Sequence, residues 1–244
     1  MRYGIISDIH SNIEALNTVL DDMGKVDKII CLGDIVGYGA SPNGCIKKVK
    51  EITSKCLAGN HDLAAIGKES IFFFNREAQD AIKWTANQLS AESKHFLNNL
   101  KDSFFIKENI LAVHGSPGEF KWDYIIDISS ADMIFKNFIF DILFVGHSHI
   151  AECFSLDKEA DRVNHLDFTL GGNIHLLNSE RYIINCGSVG QPRDGNPKAS
   201  YGIFDDKKRE LTVKRVEYPL YLTQKKILNT DLPEIFAFRL EIGR

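Results

Sequence analysis

Gly4-Ile-Ile-Ser-Asp8-Ile-His10 opens the chain, and Ile29-Ile-Cys-Leu-Gly33-Asp34 follows it. Three further stretches have the same form: Cys56-Leu-Ala-Gly59-Asn60-His61-Asp62, Ile110-Leu-Ala-Val-His114-Gly115 and Ile142-Leu-Phe-Val-Gly146-His147-Ser-His149. Each is a short apolar run that stops at a side chain able to hold a metal. Runs of this length bounded by glycine and polar residues read as buried strands. In open α/β sheets, ligands bind outside the carboxyl ends of the strands. Five such ends bring Asp, Asn and His side chains to one crevice.

Helical patterns fill the spaces between the first strands. Asn12 precedes Ile13, Leu16, Val19, Leu20 and Met23, which recur with helical spacing as far as Gly24. Ser41 and Pro42 open a helix over Pro42–Ile52. Asn75–Leu89 and Ser90–Leu100 read as two consecutive helices. Strands are expected at Arg2–Ile6, Lys28–Leu32 and Lys55–Ala58. Later in the chain they are expected at Phe104–Lys107, Ile110–His114, Ile142–Val145, Cys153–Leu156, Ile174–Asn178, Tyr182–Asn185, Tyr201–Phe204 and Leu211–Val216. The short gaps in that later part suit antiparallel pairing. Strand–helix alternation followed by a strand-rich half predicts a layered α/β domain with a second, mixed sheet. With no repeat and no linker tract, one domain over 1–244 is expected.

The 244 residues carry 29 Lys and Arg against 33 Asp and Glu, a net charge of −4. That balance gives no basis for a stable nucleic-acid partner. The densest apolar stretch, Met133–Val145, is interrupted by Lys136, Asn137 and Asp141, so no membrane partner is expected. The apolar N-terminal run is too short for a signal peptide and ends at Ser7-Asp8, which predicts a cytoplasmic protein. Cys31, Cys45, Cys56, Cys153 and Cys186 include no C-x-x-C pair and read as small buried residues. Self-association along the strand-rich half is left open.

The candidate metal ligands are Asp8, His10, Asp34, Asn60, His114, His147 and His149. Nitrogen and oxygen donors without cysteine suit borderline to hard divalent ions such as Mn, Fe or Zn, with Ni or Mg as further choices. Seven exceed what one four-coordinate ion uses and suit two ions sharing a carboxylate. Two-metal sites catalyse in-line displacement at phosphorus through a metal-activated hydroxide. His61 then suits protonation of the leaving oxygen, with Asp62 placed to orient it. Arg193 has two readings: a bidentate clamp on a substrate phosphate, or an ion pair with Asp194 or another carboxylate. Tyr38 is read equally as a stacking residue and as ordinary core. Phe72-Phe-Phe74 is read as core rather than as a pocket roof. His95, His165 and His175 lack the strand-end setting and are set aside.

The order D-x-H, G-D-x-x-G, G-N-H-D, H-G and G-H-x-H resembles the calcineurin-like metallophosphoesterase superfamily. Gly33–Gly39 with Pro42, the stretch Asn185–Asp194 and Leu232–Leu240 resemble its small bacterial and archaeal predicted phosphodiesterases. The resemblance implies a four-layer α/β/β/α sandwich. It implies one metal on Asp8, His10 and His149, and another on Asn60, His114 and His147, with Asp34 bridging. It makes His61 an acid or transition-state donor. It implies a metal-dependent phosphoesterase acting on small phosphodiesters or nucleotides. A dinucleoside-polyphosphate hydrolase, a phosphomonoesterase and a non-catalytic scaffold are the alternatives. The Asp-Arg-Gly of the superfamily's protein phosphatases is replaced by Ile35-Val-Gly37-Tyr-Gly, which argues against phosphoprotein substrates.

Overall fold

A computed structural model describes residues 1–244. Two mixed sheets lie face to face. The first contains β1 (Arg2–Ile6), β2 (Lys28–Cys31), β8 (Gly172–His175), β10 (Ala199–Asp205) and β11 (Glu210–Val216), in the order β2-β1-β10-β11-β8. The second contains β3 (Ser103–Lys107), β4 (Ile110–Val113), β5 (Ile142–Val145), β6 (Ala151–Asp157), β7 (Arg162–Asp167) and β9 (Glu180–Cys186), in the order β3-β4-β5-β9-β6-β7. β1 and β2 are parallel, and so are β4, β5 and β9. The parallel pairs that matter for the site therefore present their carboxyl ends together.

Side-chain alternation makes the layers. In β5, Ile142 and Phe144 point into the core between the sheets, where they meet Ile5, Ile30 and Phe204. Leu143 and Val145 point the other way, onto Ile134 and Phe135 of α6 (Ile128–Asn137). In β1, Ile5 faces inward while Ile6 faces α1 (Ile13–Met23) and α2 (Pro42–Ile52) through Leu16, Val19 and Val49. A strand buried on both faces reads as a continuous apolar run. The order helix, sheet, sheet, helix is the expected four-layer sandwich. The remaining helices are α3 (Asn60–Ala65), α4 (Arg76–Gln88), α5 (Ala91–Asn98), α7 (Leu220–Leu228) and α8 (Ile235–Ile242).

The structure differs from the sequence reading in three ways. Lys55–Ala58 is not a full strand: it makes single bridges, Cys56 to Cys31 and Leu57 to Lys101, before the chain turns into α3. α6, β7 and the pair α7–α8 were not anticipated. Phe72 and Phe73 are 86% and 88% exposed rather than core, and only Phe74 is partly buried. All five cysteines are free and buried, as expected. No helix is long and apolar enough to cross a membrane.

Candidate metal centre

Asp8 and His10 lie in the turn after β1, and Asp34 lies just after β2. His114 follows β4, His147 and His149 follow β5, and Asn60 opens α3. Backbone bonds lock these turns together. The Asp8 N–H donates to Gly33 O at 3.0 Å, and the His10 N–H to Asp34 O at 3.0 Å. Across the sheets, the His147 N–H donates to the Asp8 carboxylate at 3.2 and 3.1 Å. Five of the candidate ligands sit in left-handed backbone: Asp8, His10, Asp34, His147 and His149, with φ of 54°, 47°, 51°, 67° and 62°. Each such L-residue costs about 1–2 kcal/mol. Gly59 permits the close packing behind them, because a Cβ there would overlap Asp34 Oδ1.

Main-chain carbonyls decide which ring nitrogens face inward. His10 Nδ1 donates to Val36 O (3.1 Å), His114 Nδ1 to Leu32 O (2.8 Å) and His149 Nδ1 to Gln191 O (2.6 Å). His147 is turned round and donates from Nε2 to Trp122 O at 2.8 Å. A carbonyl only accepts, so each of these nitrogens carries the hydrogen. In His10, His147 and His149 the other nitrogen is left with its lone pair, the arrangement metal-bound histidines use; in His114 it faces Asp34, which favours a second proton there that an ion would displace.

These lone pairs converge. His10 Nε2 and His149 Nε2 face each other at 3.0 Å, a repulsive contact for two acceptors that a shared cation relieves. Asp34 Oδ2 lies 3.5 Å from His10 Nε2 and 3.4 Å from His114 Nε2. Asp34 Oδ2, Asn60 Oδ1 and His114 Nε2 are buried without hydrogen-bond partners. A buried polar atom left unpaired is costly, so three in one place mark a cation site. Two groups have their donor atoms within 4.8 Å of one another: Asp8, His10, Asp34 and His149, and Asp34, His114 and His147. Asp34 belongs to both. The donors fit two divalent ions that accept nitrogen and oxygen.

Burial and neighbouring charge set the protonation states of the metal-free protein. Burial opposes charge on Asp8, yet His149 beside it holds the carboxyl well below the usual range. Burial also opposes charge on His114, but Asp34 outweighs it and lifts the ring to about 10. Burial lowers His61 to about 4 and, with help from the His114 charge, His147 to about 3. These last two bases stay neutral in the fold while the unfolded chain takes up protons near pH 6.5. Their share of stability is therefore present above pH 6.5 and is lost as pH falls toward 4. For His61 alone the loss amounts to about 3 kcal/mol. The metal-free protein is expected to melt progressively lower between pH 6.5 and 4. His61→Asn should flatten that slope, and an unchanged slope in Tm against pH would contradict this account.

Four of the candidate ligands, Asp34, Asn60, His147 and His149, line a pocket of about 360 Å³, together with Tyr38, His61, Phe74, Trp122, Tyr124 and Arg193, among others. Tyr38 packs against both His10 and His61, with ring centres 4.5 and 4.4 Å apart. His61 Nδ1 is buried without a partner. Its backbone N–H donates to Asp34 Oδ1 at 2.9 Å.

Asp62 corrects an expectation. Its carboxylate accepts from the N–H groups of Val36 and Gly59, both at 3.0 Å, and does not reach the His61 ring. Adjacent residues on a helix diverge, so Asp62 holds the turn that carries Asn60 and His61 rather than orienting the imidazole. Arg193 does not pair with Asp194, which is bound by Arg215 instead. Its Nη2 donates to Tyr38 Oη (3.1 Å) and Gln191 Oε1 (3.0 Å). Trp122 and Tyr124 line the pocket but carry no motif or spacing that marks them in the sequence; Arg239 lines it too, from within the Leu232–Leu240 stretch, where the resemblance gave it no role. His165 lies away from the pocket and bonds Glu152 at 2.9 Å.

Comparison with known proteins agrees with this geometry. Residues 1–209 match the model of the calcineurin-like phosphoesterase superfamily domain. An uncharacterized protein of Methanocaldococcus jannaschii is 42% identical over 248 residues, spanning 98% of this chain and 97% of its own length. The crystal structure of a metallophosphoesterase from Sphaerobacter thermophilus is similar with a TM-score of 0.88 at 41% identity, covering 100% of this chain and 99% of that one. A hypothetical protein from Pyrococcus horikoshii shares the fold at TM-score 0.78 and 20% identity, over 100% of this chain and 98% of that one. With the family model matched along most of its length, the chain belongs to the calcineurin-like phosphoesterase superfamily.

Proposed function

We propose that the protein is a phosphoesterase dependent on two divalent metal ions, acting on small phosphodiesters or nucleotides. The observation that carries this reading is the pair of ligand groups that share Asp34, which itself lines a pocket whose other polar groups include His61 and Arg193. Asp8, His10 and His149 would hold one ion, Asn60, His114 and His147 the other, and Asp34 both. When bound, the two ions supply Lewis acidity at the phosphoryl oxygens and lower the pKa of a water. Manganese suits this donor set; iron, zinc, nickel and magnesium are the other ions to test.

The chain's own residues do the rest. His61, kept neutral by burial, serves as an N–H donor to the leaving oxygen. Arg193, held through its Nη2 by Tyr38 and Gln191, meets a substrate phosphoryl oxygen with part of its side-chain freedom already lost. The pocket is at the small end of ligand sites, which favours a compact ester over a protein segment or a duplex. Five free, buried cysteines suit a reducing compartment such as the cytoplasm.

The test is turnover of bis(p-nitrophenyl) phosphate beside p-nitrophenyl phosphate, with Mn, Ni, Mg, Zn and Fe added in turn. Diester turnover that needs metal and exceeds monoester turnover is expected. Folded, metal-loaded protein inert toward both esters with every ion would move the assignment to a non-catalytic scaffold.

A further inference from the structure

The pocket holds a second guanidinium besides that of Arg193. Arg239 of α8 lines it too. No Asp or Glu side chain forms an ion pair with either arginine. The Arg193 Nε is buried and has no partner. Arg239 donates from Nε to the main-chain oxygen of Arg244 at 2.8 Å.

Two devices hold these arginines near each other. Phe236 packs on Tyr38, with ring centres 4.6 Å apart, and seats α8 beside His10 and His61. Arg239 follows three residues later, on the same helix face. Arg193 rides on the loop after β9, whose N–H at Arg193 donates to His149 O at 3.2 Å. Its guanidinium also lies over the Tyr38 ring, 5.5 Å from the centre. Loop and helix are joined directly, because the Gly195 N–H donates to Gly243 O at 3.0 Å. Burial, then the charge of Arg193, lowers the pKa of Arg239, so the two cations feel each other. The acids that line the pocket are engaged elsewhere: Asp34 belongs to the candidate ligand groups, and Glu69 accepts from Trp122 Nε1 at 2.9 Å. Two like charges gathered there without an acidic partner of their own call for an anion.

The charge balance says how large an anion. Two divalent ions against Asp8 and Asp34 leave two positive charges, already more than a singly charged diester neutralises. The two arginines add two more, and Glu69 on the pocket wall takes one back. Guanidinium forks match phosphoryl oxygens bidentately. We infer that Arg193 and Arg239 form a subsite for a second, non-scissile phosphoryl group, so that the preferred substrate is an ester bearing two neighbouring phosphoryl groups. The inference rests on the phosphoesterase reading for the place of the scissile group. The helix that supplies Arg239 lies outside residues 1–209, the part matched by the general family model. Substrate choice is thus assigned to a segment added to the shared catalytic frame.

The test is equilibrium binding by calorimetry of methylenediphosphonate and of methylphosphonate to the metal-loaded protein. Neither probe has an ester to hydrolyse. Wild type is expected to bind the diphosphonate at least about tenfold more tightly, a difference of about 1.4 kcal/mol. Arg239→Gln should cut that ratio at least threefold, and Arg239→Lys, which keeps the charge without the fork, should fall between. Arg193→Gln should cut it as well. Metal chelation by the diphosphonate is the same for all four proteins and cannot produce the trend. A ratio near one in wild type, or a ratio unchanged in both Arg239 variants, overturns the subsite. If Arg239→Gln does not fold, the wild-type ratio and Arg239→Lys decide. Turnover of bis(p-nitrophenyl) phosphate is measured alongside: turnover without diphosphonate preference sinks the subsite alone, and preference without turnover sinks the phosphoesterase reading alone.

Discussion

Asp34→Asn is expected to lower kcat/KM for a model diester by about 10³-fold or more. Asp34 is the one side chain common to both ligand groups. Its Oδ2 stands 3.5 Å from His10 Nε2 and 3.4 Å from His114 Nε2, with no hydrogen-bond partner of its own. Asparagine keeps the shape and can still accept the His61 N–H at Oδ1. It removes the negative charge, and its NH₂ group occupies an inward lone pair that a metal would use. The variant should therefore fold and yet bind fewer than two ions per chain. Activity and metal content measured on the same sample check this. Two bound ions with kcat/KM within tenfold of wild type would refute a bridging role.

His61→Asn is expected to lower kcat by about 10²–10³-fold while leaving metal content intact and KM little changed. His61 opens no metal group: its backbone N–H holds Asp34 Oδ1, and its ring packs between Tyr38 and Phe74 at 4.4 and 4.9 Å. The substitution keeps the backbone bond and removes only the ring. A donor that acts in the transition state appears in kcat, whereas a ligand appears in metal content. If metal is lost in proportion to activity, His61 belongs to the ligand set and the donor role falls.

The convergence of the candidate ligands was legible in the sequence almost entirely, for a local reason. β1, β2, β4 and β5 are short apolar runs that stop at their ligands, and a strand end needs no knowledge of its neighbours to be seen. The caps at Asn12, Asn75 and Ser90 are equally local: each side chain accepts an N–H three residues on. What was hidden depends on distant parts of the chain. The apolar block Met133–Val145 contains the end of α6 and all of β5, so one run concealed two elements. β7 is polar and largely exposed, without an apolar alternation to mark it. α8 is apolar nearly all round, and so lacks a helical stripe. Phe72 and Phe73 look like core by composition, but the short helical turn at Ile71–Phe73 leaves both in solvent, with Phe73 at the pocket wall. Arg239 becomes a pocket residue only because Phe236 finds Tyr38, far upstream.

The ligands are divided between the two sheets. Asp8, His10 and Asp34 hang from the first, and His114, His147 and His149 from the second. Neither sheet holds a complete ligand group, since the first group needs His149 and the second needs Asp34. In the order of folding events, metal capture is then a closing step and not a seed. The sheets must find each other through their shared apolar face before the donors meet, and that long-range search is the slow part. In a nascent chain the second group stays incomplete until His147 has left the ribosome. Ions bound there would act as a clasp on a hinge already shut, and their binding energy would go to the seam between the sheets, not to either sheet alone.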